Sequence, residues 1–288
     1  MTAACSEKAP AKINLTLRVI GRRTDGYHDL ESLVAFAEFA DALTLQPGPT
    51  SALDITGSFG PACGASADNL VLKALNALRE RISGLKAGHF MLEKNIPVAA
   101  GLGGGSSDAA AALRLLARCN DLELSDLRLA EAARATGADV PVCLDPRTRI
   151  MRGVGDELSA PLDLPALPAL LVNPGVALAT HDVFARFTNG NAKQKPLADV
   201  PGEPGEVLAF LASYDNDLTP AAITCQPVIA EAIERLRALP GVRLARMSGS
   251  GATCFALFAS ASEAAAAARH LTIERQAWWV CPTTLGLV

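Results

Sequence analysis

The chain has 288 residues, of which 50% are apolar and 19% are charged, and its formal net charge at pH 7 is −4. This composition supplies ample material for a hydrophobic core and excludes a disordered chain, while the length favours two domains. The mildly acidic balance argues against nonspecific binding to nucleic acid or to an acidic membrane, which requires a broad basic surface. Any anionic ligand must therefore be held by local donors.

The seven cysteines are scattered along the chain and never form a C-x-x-C pair. This pattern fits neither a disulfide framework nor a zinc site, and a reducing compartment is the simplest setting. Residues 1–8 contain no apolar segment typical of a signal peptide, and no uninterrupted apolar run reaches membrane-spanning length. We therefore expect a cytoplasmic protein that is neither secreted nor embedded in a membrane.

Residues 12–20 alternate between apolar and polar side chains, which is the pattern of a strand with one buried face. Lys12, Asn14 and Thr16 lie on the polar face of this predicted strand. Side chains two residues apart project from the same side of a strand. Lys12 and Asn14 are therefore expected to reach a shared site.

The remaining predicted elements alternate between strands and helices. The predicted strands cover residues 30–45, 90–93, 170–172, 243–247, 253–258 and 277–280. The predicted helices cover residues 69–83, 106–119, 125–137, 227–239 and 261–271. The expected N-caps are Asp68 or Asn69 for the first helix and Ser125 for the third, which is expected to stop at Gly137.

The composition changes beyond residue 156, where prolines become frequent, and this change predicts a domain boundary near residue 160. The expected domains are residues 1–160 and 161–288. A stretch rich in Gly, Pro, Asn and Lys predicts a mobile surface loop at about 188–205.

The most unusual segment has four glycines within five residues, directly before a helix: Gly101, Gly103, Gly104 and Gly105. Glycines allow backbone N–H groups to converge on an anion, and the following helix start at Ser106 and Ser107 adds free N–H groups and the helix dipole. The two hydroxyls can donate to a phosphate, or one can bind magnesium. A flexible turn before a capped helix is the simpler alternative. The segment lacks the Walker lysine and makes a poor dinucleotide fingerprint.

Residues 97–111 (PVAAGLGGGSSDAAA) resemble the ATP-binding motif of the GHMP kinases. Residues 10–15 (PAKINL) resemble the first motif of that family and residues 248–255 (SGSGATCF) the third, in the family's order. The resemblance implies a two-domain α+β fold, with a ribosomal-protein-like N-terminal domain that binds ATP and a ferredoxin-like C-terminal domain on the substrate side. It implies ATP and Mg²⁺ as cofactors. The nucleotide-binding residues that it implies are Pro97, Val98, Ala99, Ala100, Gly101, Leu102, Gly103, Gly104, Gly105, Ser106 and Ser107.

Residues 23–30 (RTDGYHDL), 137–142 (GADVPV) and 213–218 (SYDNDL) are similar to one branch of this family. That branch phosphorylates the 2-hydroxyl of a cytidine diphosphate-linked methylerythritol, in the non-mevalonate route to isoprenoid precursors. From the resemblance we expect two partners, this small molecule and ATP. We expect no binding to nucleic acid or membrane, and a monomer or weak homodimer.

Two residues match the catalytic positions of the family. Asp139 would act as general base towards the substrate hydroxyl, and Lys12 would orient both groups and stabilise developing charge. By spacing alone, Asp139 is better explained as the N-cap of a turn that begins with proline, and Lys12 as a solvated lysine.

The resemblance also implies a set of substrate-binding residues. Tyr27 and Phe184 would enclose the cytosine ring, and the imidazole of His28 would bind its edge, although Tyr27 and Phe184 also suit core or lid packing. The full set is Asn14, Tyr27, His28, Thr180, Phe184, Gly249 and Gly251. The serine and glycine turn at 248–251 is also compatible with an ordinary hairpin.

The sequence is also compatible with three other functions. A GHMP kinase for homoserine, mevalonate or a sugar would not require Tyr27 and His28, because those substrates carry no cytosine ring. A catalytically silent nucleotide-binding protein of the same fold would not require both Lys12 and Asp139. A Rossmann oxidoreductase is the weakest of the three.

Overall fold

The computed structural model of the protein describes residues 4–64, 68–188, 195–197 and 199–286. The strands are β1 (Cys5–Asn14), β2 (Arg18–Arg22), β3 (His28–Pro47), β4 (Ala52–Thr56), β5 (Gly88–Glu93), β6 (Arg149–Gly153), β7 (Glu157–Leu158), β8 (Leu167–Asn173), β9 (Leu244–Met247), β10 (Cys254–Leu257) and β11 (Trp279–Leu285). The helices are α1 (Leu70–Arg79), α2 (Gly104–Cys119), α3 (Leu127–Thr136), α4 (Val140–Leu144), α5 (Thr180–Arg186), α6 (Pro204–Ala212), α7 (Thr219–Cys225), α8 (Val228–Ala238) and α9 (Ala261–Glu274), with a short 3₁₀ helix at Gly60–Cys63. None of these helices combines the length and the apolar character that crossing a lipid bilayer requires.

The chain forms two compact units, and each is assembled from separated segments. The first unit consists of Met1–Ala11, Phe39–Val98 and Gly103–Pro146. The second consists of Lys12–Glu38, Ala99–Leu102 and Arg147–Val288. These units group residues by contact and follow no single cut in the chain, so the domains 1–160 and 161–288 stay a prediction.

The first unit packs helices against a small sheet. Strand β5 pairs antiparallel with the C-terminal part of β3 and parallel with β4. Helix α2 is buried along most of its length, and Ala109, Ala110, Ala111 and Ala112 are all fully buried. Small side chains allow neighbouring elements to approach a helix closely. In this unit α2 packs against α1 and α4, so the helix that follows the glycines is central to the unit.

The second unit contains a four-stranded antiparallel sheet in the order β11-β8-β10-β9, and β11 also pairs with β3 at one position, Leu285 with Ala37. Along the chain its elements follow as β8, α8, β9, β10, α9 and β11, with α5 to α7 inserted before α8. This is the split βαβ arrangement of ferredoxin-like domains, as predicted. One apolar cluster fills the unit, and its fully buried members include Leu170, Ile229, Leu236 and Leu271.

The predicted strand at 12–20 is wrong in two respects. Strand β1 begins earlier, ends at Asn14, and is followed by a break before β2. The break forms because the backbone N–H and C=O of Leu17 pair with the loop at 215–217. The polar face is also buried, since Lys12, Asn14 and Thr16 are 4%, 2% and 1% exposed.

Some of the predicted helix and strand boundaries are confirmed, and others differ from the structure. Asn69 caps α1 as predicted, with its side chain accepting a hydrogen bond from the backbone N–H of Val71 at 2.9 Å. Helix α3 is capped by Asp126, and the prediction of Ser125 is wrong by one residue. The last strand extends to Leu285, beyond the predicted end at residue 280.

The predicted mobile loop at 188–205 falls partly on residues 189–194 and 198, which lie outside the described residues. Within its described part, Leu197 is buried. The backbone N–H of Leu197 donates to Glu31 at 2.8 Å, and its carbonyl accepts from Arg152 at 3.2 Å. An exposed loop is therefore wrong at Leu197, and α6 already begins at Pro204.

Candidate active site

The glycine segment adopts an alternating backbone before α2. Ala99, Gly101 and Gly103 have positive φ angles of 53°, 74° and 60°, whereas the residues between them do not. A backbone in which every second residue has a positive φ can turn successive N–H groups towards one side, as anion-binding concavities do. The geometry of the segment is therefore suited to a phosphate.

Helix α2 begins at Gly104, two residues before the predicted start at Ser106. Gly103 occupies the N-cap in a left-handed conformation and provides no side-chain cap. The N–H groups of Gly104, Gly105 and Ser106 have no acceptor within the helix, as at every helix start. Gly105 is exposed. The helix thus presents uncapped N–H groups and the positive end of its dipole to an approaching anion.

The two serines have different surroundings. Ser107 is 1% exposed, and its hydroxyl donates to the carbonyl of Pro10 at 2.7 Å. Ser107 therefore fastens α2 to β1, and its proton is not available to a phosphate. Ser106 is half-buried, which leaves its hydroxyl as the better candidate for a ligand contact.

A buried ion cluster, which the sequence analysis missed, supports the start of α2. The Lys94 ammonium donates to Asp108 on α2 at 2.6 Å and makes a short contact with Asp41. Asp41 also accepts the backbone N–H of Ile96 at 2.8 Å. A Cβ atom at Gly104 would lie 2.9 Å from the Lys94 nitrogen. The absence of a side chain at Gly104 thus allows the ammonium to lie directly beneath the first turn.

The charges of this cluster are strongly perturbed. Burial raises the pKa of Asp108 to about 8, because the charged carboxylate loses its hydration; Lys94 opposes the rise and the carboxylate of Asp41 adds to it. Burial lowers the pKa of Lys94, but the two carboxylates outweigh it, so the net change is upward. One oxygen of Asp108, Oδ1, is buried without a hydrogen-bond partner in the described part of the chain.

Asp139 lies at the N-cap position of α4, yet its side chain makes no capping hydrogen bond. The N-cap explanation of this residue is therefore not supported. The guanidinium of Arg114, on α2, donates to the carbonyl of Cys143 at the end of α4 at 2.9 Å and is 8% exposed. Helix α2 thus carries the glycine segment at its start and fixes, through Arg114, the short helix that follows Asp139.

In the second unit, the parts of the three predicted motifs at residues 12–15, 99–102 and 248–255 lie together. The backbone N–H of Lys12 donates to the carbonyl of Leu102 at 2.8 Å, which joins the first motif to the glycine segment. The backbone N–H of Thr253 donates to the carbonyl of Ala100 at 3.1 Å, which joins the glycine segment to the third motif. The backbone N–H of Asn14 donates to the hydroxyl of Ser248 at 3.0 Å.

Glycines are required where these motifs meet. A Cβ atom at Gly101 would lie 2.5 Å from the carbonyl oxygen of Gly251 and 2.9 Å from that of Ser248. A Cβ atom at Gly249 would lie 3.2 Å from the side-chain oxygen of Asn14. Gly101 therefore serves close packing between backbones, in addition to any role in phosphate binding.

Asn14 has an unused hydrogen-bonding atom. Its Nδ2 donates to the hydroxyl of Ser32 at 2.7 Å. Its Oδ1 is buried and has no hydrogen-bond partner among the described residues. Buried polar atoms are rarely left without a partner, so this oxygen is a candidate acceptor for a ligand.

Three of the predicted substrate residues take part in local pairs: His28 with Phe184, and Thr180 with Ser250. The ring of His28 stacks on that of Phe184, with centroids 4.9 Å apart and an angle of 23°. Burial and the charge of Arg22 lower the pKa of His28, so its imidazole is neutral at pH 7. The hydroxyls of Thr180 and Ser250 are 2.9 Å apart. Tyr27 is 64% exposed, and its ring stacks on no other ring in the described part of the chain.

The comparisons with known proteins agree with these motifs. The GHMP kinases N terminal domain matches residues 69–145, and the GHMP kinases C terminal domain matches residues 200–275. A 4-diphosphocytidyl-2-C-methyl-D-erythritol kinase from Rhodopseudomonas palustris (strain HaA2) is 53% identical over 289 residues, covering 97% of each chain. One from Xanthobacter autotrophicus is 55% identical, covering 96% of this chain and 98% of the relative. This chain belongs to the 4-diphosphocytidyl-2-C-methyl-D-erythritol kinase family.

Solved structures support the assignment to this family of GHMP kinases. A crystal structure of 4-(cytidine 5'-diphospho)-2C-methyl-D-erythritol kinase superposes with a TM-score of 0.79 at 36% identity, covering 98% of this chain and 99% of that one. A homoserine kinase from Cytophaga hutchinsonii superposes with a TM-score of 0.71 at 20% identity, covering 99% of this chain and 96% of that one, which shows the shared fold. The predicted two-domain GHMP fold is thereby confirmed.

We expect Asp108→Asn to change the pH dependence of stability. The pKa of Asp108 is raised in the folded state, so its contribution to the free energy of unfolding is present at low pH and is lost as the pH rises from about 4 through about 8. The free energy of unfolding of the asparagine variant should therefore fall less steeply with pH than that of the wild type, by up to about 1.4 kcal/mol per pH unit between the two pKa values. Urea denaturation at a series of pH values measures the difference. Glu123→Gln, at an exposed carboxylate, is the control, and an equal slope in wild type and Asp108→Asn would contradict the prediction.

We expect Gly101→Ala to lower the free energy of unfolding by about 1–3 kcal/mol. The alanine would require a left-handed backbone and would clash with the carbonyl of Gly251. Gly105→Ala is the matched control, because Gly105 is helical and its nearest contact, a methyl group of Leu70, lies at 3.4 Å. Denaturation curves in urea compare the two variants, and equal stability of both would show that Gly101 is not required by packing.

Proposed function

We propose that this chain transfers the γ-phosphoryl group of ATP to the 2-hydroxyl of 4-diphosphocytidyl-2-C-methyl-D-erythritol, a step of the non-mevalonate route to isoprenoid precursors. The observation that carries the proposal is the identity of 53–55% with kinases named for this substrate, over almost the whole length of both chains. The glycine segment and the unpartnered oxygen of Asn14 supply local chemistry that suits it.

In this proposal, residues 97–107 hold the triphosphate of ATP. The alternating backbone of Ala99–Gly103 and the free N–H groups at the start of α2 would surround the terminal phosphates. The buried Lys94 cluster would fix this first turn before ATP arrives, so that its donors need no reorganisation. Ser106 would add a hydroxyl, whereas Ser107 would act by holding α2 in place.

Asp139 and Lys12 are proposed as the catalytic pair. The Asp139 carboxylate would accept the proton of the 2-hydroxyl as its oxygen attacks the γ-phosphorus in line with the departing ADP. The Lys12 ammonium would orient that hydroxyl and neutralise charge on the transferred group. Support comes from the burial of Lys12, since a merely solvated lysine would be exposed.

The cytidine end of the substrate is proposed to bind at the aromatic residues. The exposed ring of Tyr27 offers a free face to cytosine, and the neutral imidazole of His28 can donate to and accept from the edge of a base. Phe184 supports His28 by stacking and would complete the aromatic enclosure. The turn of Gly249 and Gly251, with Asn14 and Thr180, would contact the rest of the substrate.

Mg²⁺ is proposed to enter with ATP. The described residues contain no group of three or more His, Cys, Asp or Glu side chains arranged to hold a metal ion. This fits Mg²⁺ in kinases, which keeps several waters and is bound by few protein groups together with the substrate phosphates. The Ser106 hydroxyl would be its contact on this chain. When bound, the metal would neutralise charge on the β- and γ-phosphates.

The cellular setting is proposed to be the cytoplasm, with a monomer or weak homodimer as the working form. All seven cysteines are free thiols, as expected in a reducing compartment. The only partners in this proposal are ATP and the cytidylylated methylerythritol.

The substrate assignment is tested by incubating the protein with ATP, Mg²⁺ and 4-diphosphocytidyl-2-C-methyl-D-erythritol. We expect equimolar ADP and a singly phosphorylated product, measured by a coupled assay and by mass spectrometry. Homoserine and mevalonate are the control alcohols. Turnover of a control alcohol at an equal kcat/KM would reject the assignment, and so would binding of ATP without any product.

Asp139→Asn tests the proposed base. Removing a general base typically lowers the rate by about 10²–10⁴-fold, so we expect a loss of that size in kcat while the Kd of ATP changes by less than about threefold. Asp163→Asn, at an exposed carboxylate, is the matched control. Full activity of Asp139→Asn would show that Asp139 is not the general base. The assignment of the substrate would be unaffected.

A further inference from the structure

A cavity of about 650 Å³ lies in the second unit against β9, which is the edge strand of the four-stranded sheet. Its walls are β9, the loop at 215–217, and the side chains of Ile233 and Arg237 on α8. None of the residues proposed above for ATP or substrate lines it. Cavities of this size commonly bind small molecules.

The cavity has a buried cation in its wall. Arg246 is 7% exposed, and its guanidinium donates to the carbonyls of Leu15 at 2.7 Å and of Leu211 at 3.0 Å, with a short contact to that of Tyr214. Among the described residues it forms no ion pair with a carboxylate. A buried charge is costly unless an opposite charge compensates it, and the favourable charge of Asp215 is here outweighed by burial. Burial lowers the pKa of Arg246 to about 10, which reflects that cost.

Two further guanidiniums line the cavity. Arg237 and Arg243 are exposed to solvent, and neither lies within ion-pair distance of a carboxylate in the described part of the chain. The charge of Asp215 acts favourably on Arg246 and the charge of Arg237 acts unfavourably, with the effect of Asp215 the larger of the two. Three like charges around one cavity leave a site that an anion would stabilise.

The cavity also has acidic and apolar walls. Asp215 and Asp217 line it, so the arginines exceed the carboxylates by one. Asp217 is mostly buried and accepts the backbone N–H of Val19 at 2.8 Å, which turns one of its oxygens towards the backbone. Ile233 and Val242 supply apolar surface beside the arginines. This combination suits a ligand with one anionic group and a small apolar part.

We propose that this cavity binds a small organic anion, a phosphate ester or a carboxylate, through the guanidiniums of Arg237 and Arg243. Both side chains present planar donors that match phosphate and carboxylate oxygens. Arg246 contributes its charge, since its donors already engage carbonyls.

The cavity is joined to the third motif by one side chain. Asn216 lines it, and Nδ2 of Asn216 donates to the carbonyls of Met247 at 2.9 Å and of Gly249 at 2.8 Å. A bound anion would therefore lie against the residue that fixes the turn at Gly249.

Titration calorimetry with pyrophosphate as the probe tests this site. The measurement uses the full chain in Mg²⁺-free buffer of low ionic strength, with a non-hydrolysable ATP analogue at saturation to occupy the glycine segment and 4-diphosphocytidyl-2-C-methyl-D-erythritol at saturation to occupy the substrate site. We expect one remaining pyrophosphate site, with affinity that weakens as NaCl is added. The double variant Arg237→Gln/Arg243→Gln should bind at least tenfold more weakly.

Arg235→Gln is the matched control, because Arg235 is an exposed arginine of α8 that pairs with Glu274 at 2.9 Å and does not line the cavity. It should bind pyrophosphate like the wild type. The kcat/KM of the double variant without pyrophosphate should equal that of the wild type, which also verifies folding; if the double variant does not fold, Arg243→Gln alone is used and should bind at least threefold more weakly. Undiminished binding by the arginine variants, an equal loss in Arg235→Gln, or no binding to the wild type at millimolar pyrophosphate would each overturn the proposal.

Discussion

The buried Lys94 ammonium, held between Asp41 and Asp108, is the interaction on which the first unit's site depends. Asp108 lies one turn inside α2, and Lys94 lies below Gly104, so the cluster determines where the first turn of the helix can be. Removing one partner from such a cluster leaves a buried charge without compensation, which costs far more than losing an ion pair at the surface. The uncapped N–H groups at the start of α2 therefore have a fixed position.

Helix α2 connects this ion cluster to other elements of the first unit. At its start, Ser107 ties it to the carbonyl of Pro10, and farther along Arg114 holds the end of α4. The second unit holds its motifs together through a glycine. Gly101 lies against the backbone of Gly251 at a distance that no side chain would permit. One set of contacts uses charge and the other uses the absence of a side chain, yet each fixes a predicted motif through residues distant in sequence.

Sequence alone predicted the parts of the fold that rest on local patterns. The end of α2, the N-cap Asn69 and the strands of the ferredoxin-like sheet follow from spacing and capping within a few residues. The ion cluster does not, because Lys94 and Asp41 are 53 positions apart and nothing local marks them as partners. Lys12 was expected on a solvated face for the same reason: alternation shows which side chains share a face, whereas burial of the second face depends on what packs there. Short helices such as α4, α5 and α7 have too few turns for their periodicity to be recognised.

The hydrogen bond between the N–H of Lys12 and the carbonyl of Leu102 positions the backbone at residue 12 independently of the role of its side chain. Main-chain atoms make this link, so it persists whichever residue other than proline occupies position 12. If the roles proposed above hold, a descendant of this protein that lost the lysine would keep its first strand in register with the glycine segment and would still bind nucleotide there. In that case a single substitution would separate an active kinase from an inactive nucleotide-binding relative, and resemblance of fold alone would be poor grounds for assigning turnover to a distant homologue.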